Sequence, residues 1–127
     1  MLVGRLPGSF CFTAPSDRTA KLGAMDLHPL QKDLETVSQI YARKFGIERT
    51  DDWLLLKLNE EVGELTRAYL AIQGRSRDDG RSHAERTSDF GAELADVVAH
   101  ALLLAERFNV DMADELTRKW LVWKQGG

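Results

Sequence analysis

Two short stretches of this chain carry the same order of side chains. Glu61-Val62-Gly63-Glu64-Leu65 and Glu93-Leu94-Ala95-Asp96-Val97 both read acid, aliphatic, small, acid, aliphatic. On an α-helix, positions three apart share a face, so each stretch would present two carboxylates side by side. Four carboxylates converging between two helices stay ionised only if a cation neutralises them, and a divalent metal is the economical counter-charge. An all-oxygen set suits hard ions; Mg²⁺ in particular keeps several waters and completes its shell with substrate phosphates, and Mn²⁺ can substitute. A di-iron site would want Glu-x-x-His pairs, and none of His28, His83 or His100 stands three residues after a Glu. The competing reading for either acidic pair alone is an ordinary solvated helix face.

The pattern requires helices to carry it. Pro29 suits a first helical turn; from there Leu30, Leu34, Val37, Tyr41 and Phe45 recur at steps of three and four, with Gly46 as a stop. Asp51 and Asp52 suit a second helix N-terminus, and Leu55, Leu58, Val62, Leu65, Tyr69 and Ile72 predict its buried stripe up to Gly74. The polar run over 74–89 predicts a loop. A third helix is predicted from Asp89 to Asn109, with Leu94, Val97, Val98, Ala101, Leu104, Ala105 and Phe108 on its apolar side. A fourth is predicted from a cap at Asp111 through Trp123, with Met112, Leu116, Trp120 and Trp123 facing inward. No strand-like alternation occurs, so the expected class is all-α, a four-helix bundle-like domain. Gly63 and Ala95 are expected to let the two acid-bearing helices approach closely.

Totals narrow the function classes. In 127 residues, 43% hydrophobic and 29% charged, there is room for one core. Seventeen basic against 20 acidic residues give a net charge of −3, so no global field favours a nucleic acid polymer or an anionic membrane. The single cysteine, Cys11, excludes an internal disulfide framework. No apolar run approaches the roughly 18 residues of a membrane span, and a cytoplasmic location is expected. Residues 1–26 mix Gly, Pro, Ser and Thr without a period and are expected to form a mobile extension of the helical domain over 27–127. A targeting segment, or an extension upstream of a second start at Met25, are the other readings of that stretch.

With both acidic motifs in view, the chain resembles the all-α nucleoside triphosphate pyrophosphohydrolases often called MazG-like. Their signature, E-E-x-x-E on one helix and E-x-x-D on the next, is matched by Glu60, Glu61 and Glu64 and then by Glu93 and Asp96. The resemblance spans roughly residues 30–120 and includes the run ADVVAHALLLAERFNVD. It implies Mg²⁺ held by Glu61, Glu64, Glu93 and Asp96, with Glu60 holding a second ion or orienting water. The implied reaction is hydrolysis of a nucleoside triphosphate, non-standard or surplus, between the α- and β-phosphates. A homodimer or homotetramer is implied too, and is expected independently because two long apolar helices leave a face uncovered in a monomer.

Secondary candidates follow. Lys57 either pairs with Glu61 or reaches phosphate, and Lys119 is the candidate phosphate contact in the last helix. His100, on the acidic stripe, reads as a packing histidine or a general base. Trp53, Trp120 and Trp123 could stack a base, while helical spacing favours a core or subunit-contact role for the last two. Asn59 could read a sugar or base edge. The rival functions are phosphoribosyl-ATP hydrolysis, a non-catalytic nucleotide-sensing or oligomerisation module, and a helix-turn-helix DNA binder, the last disfavoured by the acidic stripes.

Overall fold

The computed structural model describes residues 26–126. The predicted extension lies outside them except for Asp26, as do Cys11 and Met25. Four α-helices follow in order: α1 (Leu27–Phe45), α2 (Asp51–Ile72), α3 (His83–Arg107) and α4 (Met112–Lys119), then a 3-10 helix, Leu121–Gln125. Among the described residues there is no strand, and no helix is long and apolar enough to cross a membrane.

Local chemistry sets most of the boundaries. Side chains of Asp26, Thr50, Ser82 and Asp111 each accept a hydrogen bond from a backbone N–H in the first turn of α1, α2, α3 and α4 respectively, satisfying donors that would otherwise have no partner. Helix α1 ends at Gly46, whose φ of 63° is left-handed, and the reversal after α3 uses Asn109 at φ 54°, a value that asparagine tolerates better than most residues. Helix α3 starts six residues before the predicted Asp89. The signal is the Ser82-x-x-Glu85 pair, a capping-box spacing inside a stretch too polar to show periodicity. Helix α4 is shorter than predicted: it stops at Lys119 and tightens into the 3-10 turn.

The dominant contact is α2 along α3, with α1 laid on α3 and α4 on α1. Fully apolar burial is confined, among the described residues, to Ala42, Leu54, Leu102, Leu103 and Ala105. A buried glutamine fastens the corner. The Gln31 Nε2 donates to the Val110 carbonyl at 3.2 Å and its Oε1 accepts from Met112 N–H at 3.3 Å, so one side chain of α1 satisfies backbone groups on both sides of the α3–α4 turn. The Arg49 guanidinium donates to both Glu35 oxygens at 2.9 and 2.7 Å, the bidentate geometry that makes such pairs strong, and ties the α1–α2 connection back to α1.

Three expectations need correction. The buried face of α2 carries Leu54 and Lys57; of the predicted stripe, Leu58, Leu65 and Ile72 are half-buried, whereas Leu55, Val62 and Tyr69 are exposed, Leu55 by 57%. Regular apolar spacing therefore marks a face that nothing in the single chain covers. Leu94, Val98 and Phe108 of α3 are likewise exposed. Trp120 and Trp123, expected to face inward, are 65% and 71% exposed, the chain leaving α-helical geometry at Trp120 for the 3-10 turn. Finally, Gly63 and Ala95 are exposed, and a Cβ added at Gly63 would meet nothing within 4 Å; the small residues do not mediate the α2–α3 approach. Replacing Gly63 by Ala is accordingly expected to raise the unfolding free energy by about 1 kcal/mol, from helix propensity alone, measured by urea denaturation.

Candidate functional site

Packing of α2 along α3 brings three of the predicted acids together. One oxygen from each of Glu61, Glu93 and Asp96 lies within 4.8 Å of the other two. Glu61 and Glu93 are half-buried, whereas Asp96 is exposed. Burial is the first cause that raises the pKa of Glu61, followed by the Asp96 charge. In Glu93 burial again leads, with Asp96 and Glu64 adding to the upward shift. Asp96 is raised by the loss of water around its carboxyl, and Lys57 opposes that shift. Each of the three therefore binds a proton more readily than a free carboxylate, the expected behaviour of carboxylates partly withdrawn from water.

The donor set fits a hard divalent cation. Oxygens on opposite sides of an ion bound at 2.0–2.1 Å are about 4.2 Å apart, and at the longer distances of Ca²⁺ close to 5 Å. A spread of no more than 4.8 Å is compatible with either ion, with waters or phosphate oxygens filling the remaining positions.

The other predicted residues fall around this centre. Glu64 stands outside the group of three; its carboxylate is 3.4 Å from the Arg67 guanidinium, an i,i+3 partner that the sequence reading passed over although its spacing was plain. Glu60 pairs with the Lys57 ammonium at 3.0 Å, and the same ammonium is 3.7 Å from Glu61. The ion-pair reading of Lys57 is thus the one the geometry displays. His100 Nε2 lies 4.0 Å from Glu61, and its Nδ1 is buried without a hydrogen-bond partner. Burial, aided by the Lys57 charge, lowers its pKa to about 4, so it is neutral near pH 7, with the Trp53 ring edge-on at 6.4 Å.

Trp53 also lines a cleft of about 470 Å³ with Ile47, Leu56, Lys57 and Glu60, a size within the range of small-molecule sites. The cleft adjoins the acidic centre through Lys57 and Glu60. Its lining by Ile47, Glu48 and Thr50, from the α1–α2 connection, had no signal in the sequence, since no periodicity places a connecting loop. Asn59 is exposed and does not line the cleft. Lys119 is exposed at the end of α4, a helix that packs on α1. Comparison of the chain with protein-family models, curated proteins and solved structures finds no match.

The shifted groups make stability depend on pH with opposite signs. Between pH 6.5 and about 4 the unfolded chain takes up a proton at His100 that the folded protein does not, so acidification through this window destabilises the fold. The raised carboxylates act the other way, since the folded protein binds their protons first. Replacing His100 by Phe removes only the first effect. Between pH 7 and pH 5 the wild type is expected to lose more stability than His100→Phe, compared by urea midpoints at both pH values.

Proposed function

We propose that the chain is a Mg²⁺-dependent nucleoside triphosphate pyrophosphohydrolase acting at the α/β phosphoanhydride, of the MazG-like kind that its motifs resemble. The observation that carries the reading is the convergence of Glu61, Glu93 and Asp96, from two helices, to within 4.8 Å, beside an organic-sized cleft bordered by Trp53 and Lys57. A divalent ion bound there would neutralise phosphate oxygens and lower the pKa of an attacking water. Glu61, Glu93 and Asp96 would hold it, and Glu64, one turn further along α2 and now 3.4 Å from Arg67, would be the candidate fourth ligand. Glu60 orients the water and accepts its proton as the water oxygen bonds to the α-phosphorus. The bond to the bridging oxygen breaks, leaving a monophosphate and pyrophosphate. Trp53 offers an aromatic surface to the base, and neutral His100 keeps Glu61 in place without adding charge.

The exposed apolar face supports assembly as a homodimer or a homotetramer built from dimers. Leu55, Val62 and Tyr69, spaced by sevens along α2, are joined by Leu94 and Val98 of α3, and the few fully buried apolar residues make a thin core for an isolated chain. The same face supports the second reading, a non-catalytic oligomerisation or nucleotide-sensing module. Phosphoribosyl-ATP is an alternative substrate with the same scissile bond.

Pyrophosphate release across normal and modified nucleotides, with and without Mg²⁺, tests the main reading. Glu61→Gln and Asp96→Asn are each expected to lower the rate by at least about 100-fold while circular dichroism stays unchanged; near wild-type rates in either would end the assignment. Saturable nucleotide binding without pyrophosphate release would favour the sensing module. Val62→Asp is expected to shift the protein from oligomer to monomer in light scattering, and a wild type that is already monomeric would remove the assembly proposal.

A further inference from the structure

We propose that Lys57 is the internal counter-ion of the acidic centre, present before any metal and opposed to its binding; this rests on reading the three carboxylates as a divalent-cation site. Lys57 is only 2% exposed, and a lysine is seldom that deeply buried unless it is paired. Its partners are the acids themselves: Nζ lies 3.0 Å from Glu60 and 3.7 Å from Glu61. Glu61 is therefore shared, close both to the ammonium and to Glu93 and Asp96.

Two consequences follow from Coulomb's law. Without metal, the single positive charge offsets part of the repulsion among the acids and keeps the α2–α3 contact closed. With metal, a doubly charged ion on Glu61 stands a few ångströms from a fixed ammonium, and the repulsion weakens its binding by more than tenfold at the effective dielectric of a partly buried site. Lys57 thus acts as a positioning and affinity-setting residue. It borders the cleft, so an incoming polyphosphate can take the ammonium from Glu60 and relieve the repulsion, which couples metal binding to nucleotide binding.

The test is Mn²⁺ titration of the full chain, reading free Mn²⁺ by electron paramagnetic resonance, together with thermal melts with and without Mn²⁺. Lys57→Met is expected to bind Mn²⁺ about tenfold more tightly or better, to melt lower than wild type without metal, and to gain more from added Mn²⁺. Lys57→Arg, which keeps the charge, is expected to stay within about threefold of the wild-type affinity. Should Lys57→Met fail to fold, Lys57→Gln, neutral and polar, carries the same expectation. If wild type binds Mn²⁺ and the neutral variants bind it equally or more weakly, the counter-ion role is overturned while the metal site stands. If neither wild type nor any variant binds Mn²⁺, the metal-site reading falls and takes this inference with it.

Discussion

Mutual repulsion among carboxylates is the constraint around which this molecule is organised. Glu61 comes from α2 and Glu93 and Asp96 from α3, and nothing in their own chemistry draws them together. The attraction is supplied by apolar burial elsewhere on the same helices, of Leu54 on α2 and of Leu102 and Leu103 on α3. Apolar burial at a few residues, each contributing roughly 1.5–3 kcal/mol, holds the three acids partly withdrawn from water, the first cause of their raised proton affinity. Separated from that packing, the acids would move apart into water.

The remaining elements support that contact rather than the acids directly. Helix α1 covers α3, and Gln31 locks the turn that follows it. Arg49 and Glu35 fix the start of α2, and Arg107 reaches from the end of α3 to Asp51 at the first turn of α2. At the opposite end, Arg86 of α3 donates to the Ala71 carbonyl and reaches Asp78 and Asp79. Both ends of the α2–α3 pair are thereby clamped by arginines, with the acidic centre between them.

What the sequence made legible was the existence and order of the helices and the acidic residues that meet. Caps at Gly46, Asn109 and Asp111 and the acids at Asp51 and Asp52 are local signals, and local signals survive folding. The buried face of α2 was misread because Leu55, Val62 and Tyr69 obey helical periodicity as well as any core stripe; periodicity reports that a face is apolar without saying what covers it. The pairing of Lys57 with Glu61 was legible from their spacing, whereas its burial was not, since a lysine is assigned to solvent by residue type. Glu64 was grouped with Glu61 on spacing and on the family resemblance; it stands outside the group of three, with its carboxylate 3.4 Å from Arg67. The cleft beside Trp53 depends on a connecting loop, for which spacing rules have no purchase.

The helical hairpin formed by α2 and α3 behaves as a measuring device. Glu61 lies about 16 Å from the end of α2 at Ile72, and Glu93 about 15 Å from the start of α3 at His83. The arms match, so the acids meet although the intervening loop carries none of them. Lengthening that loop leaves both arms intact, whereas one extra residue inside either arm turns everything on its far side by about 100° and swings a carboxylate off the seam. A change of length is thereby absorbed in the link between the arms, whereas the helical stretches around it are counted to the residue.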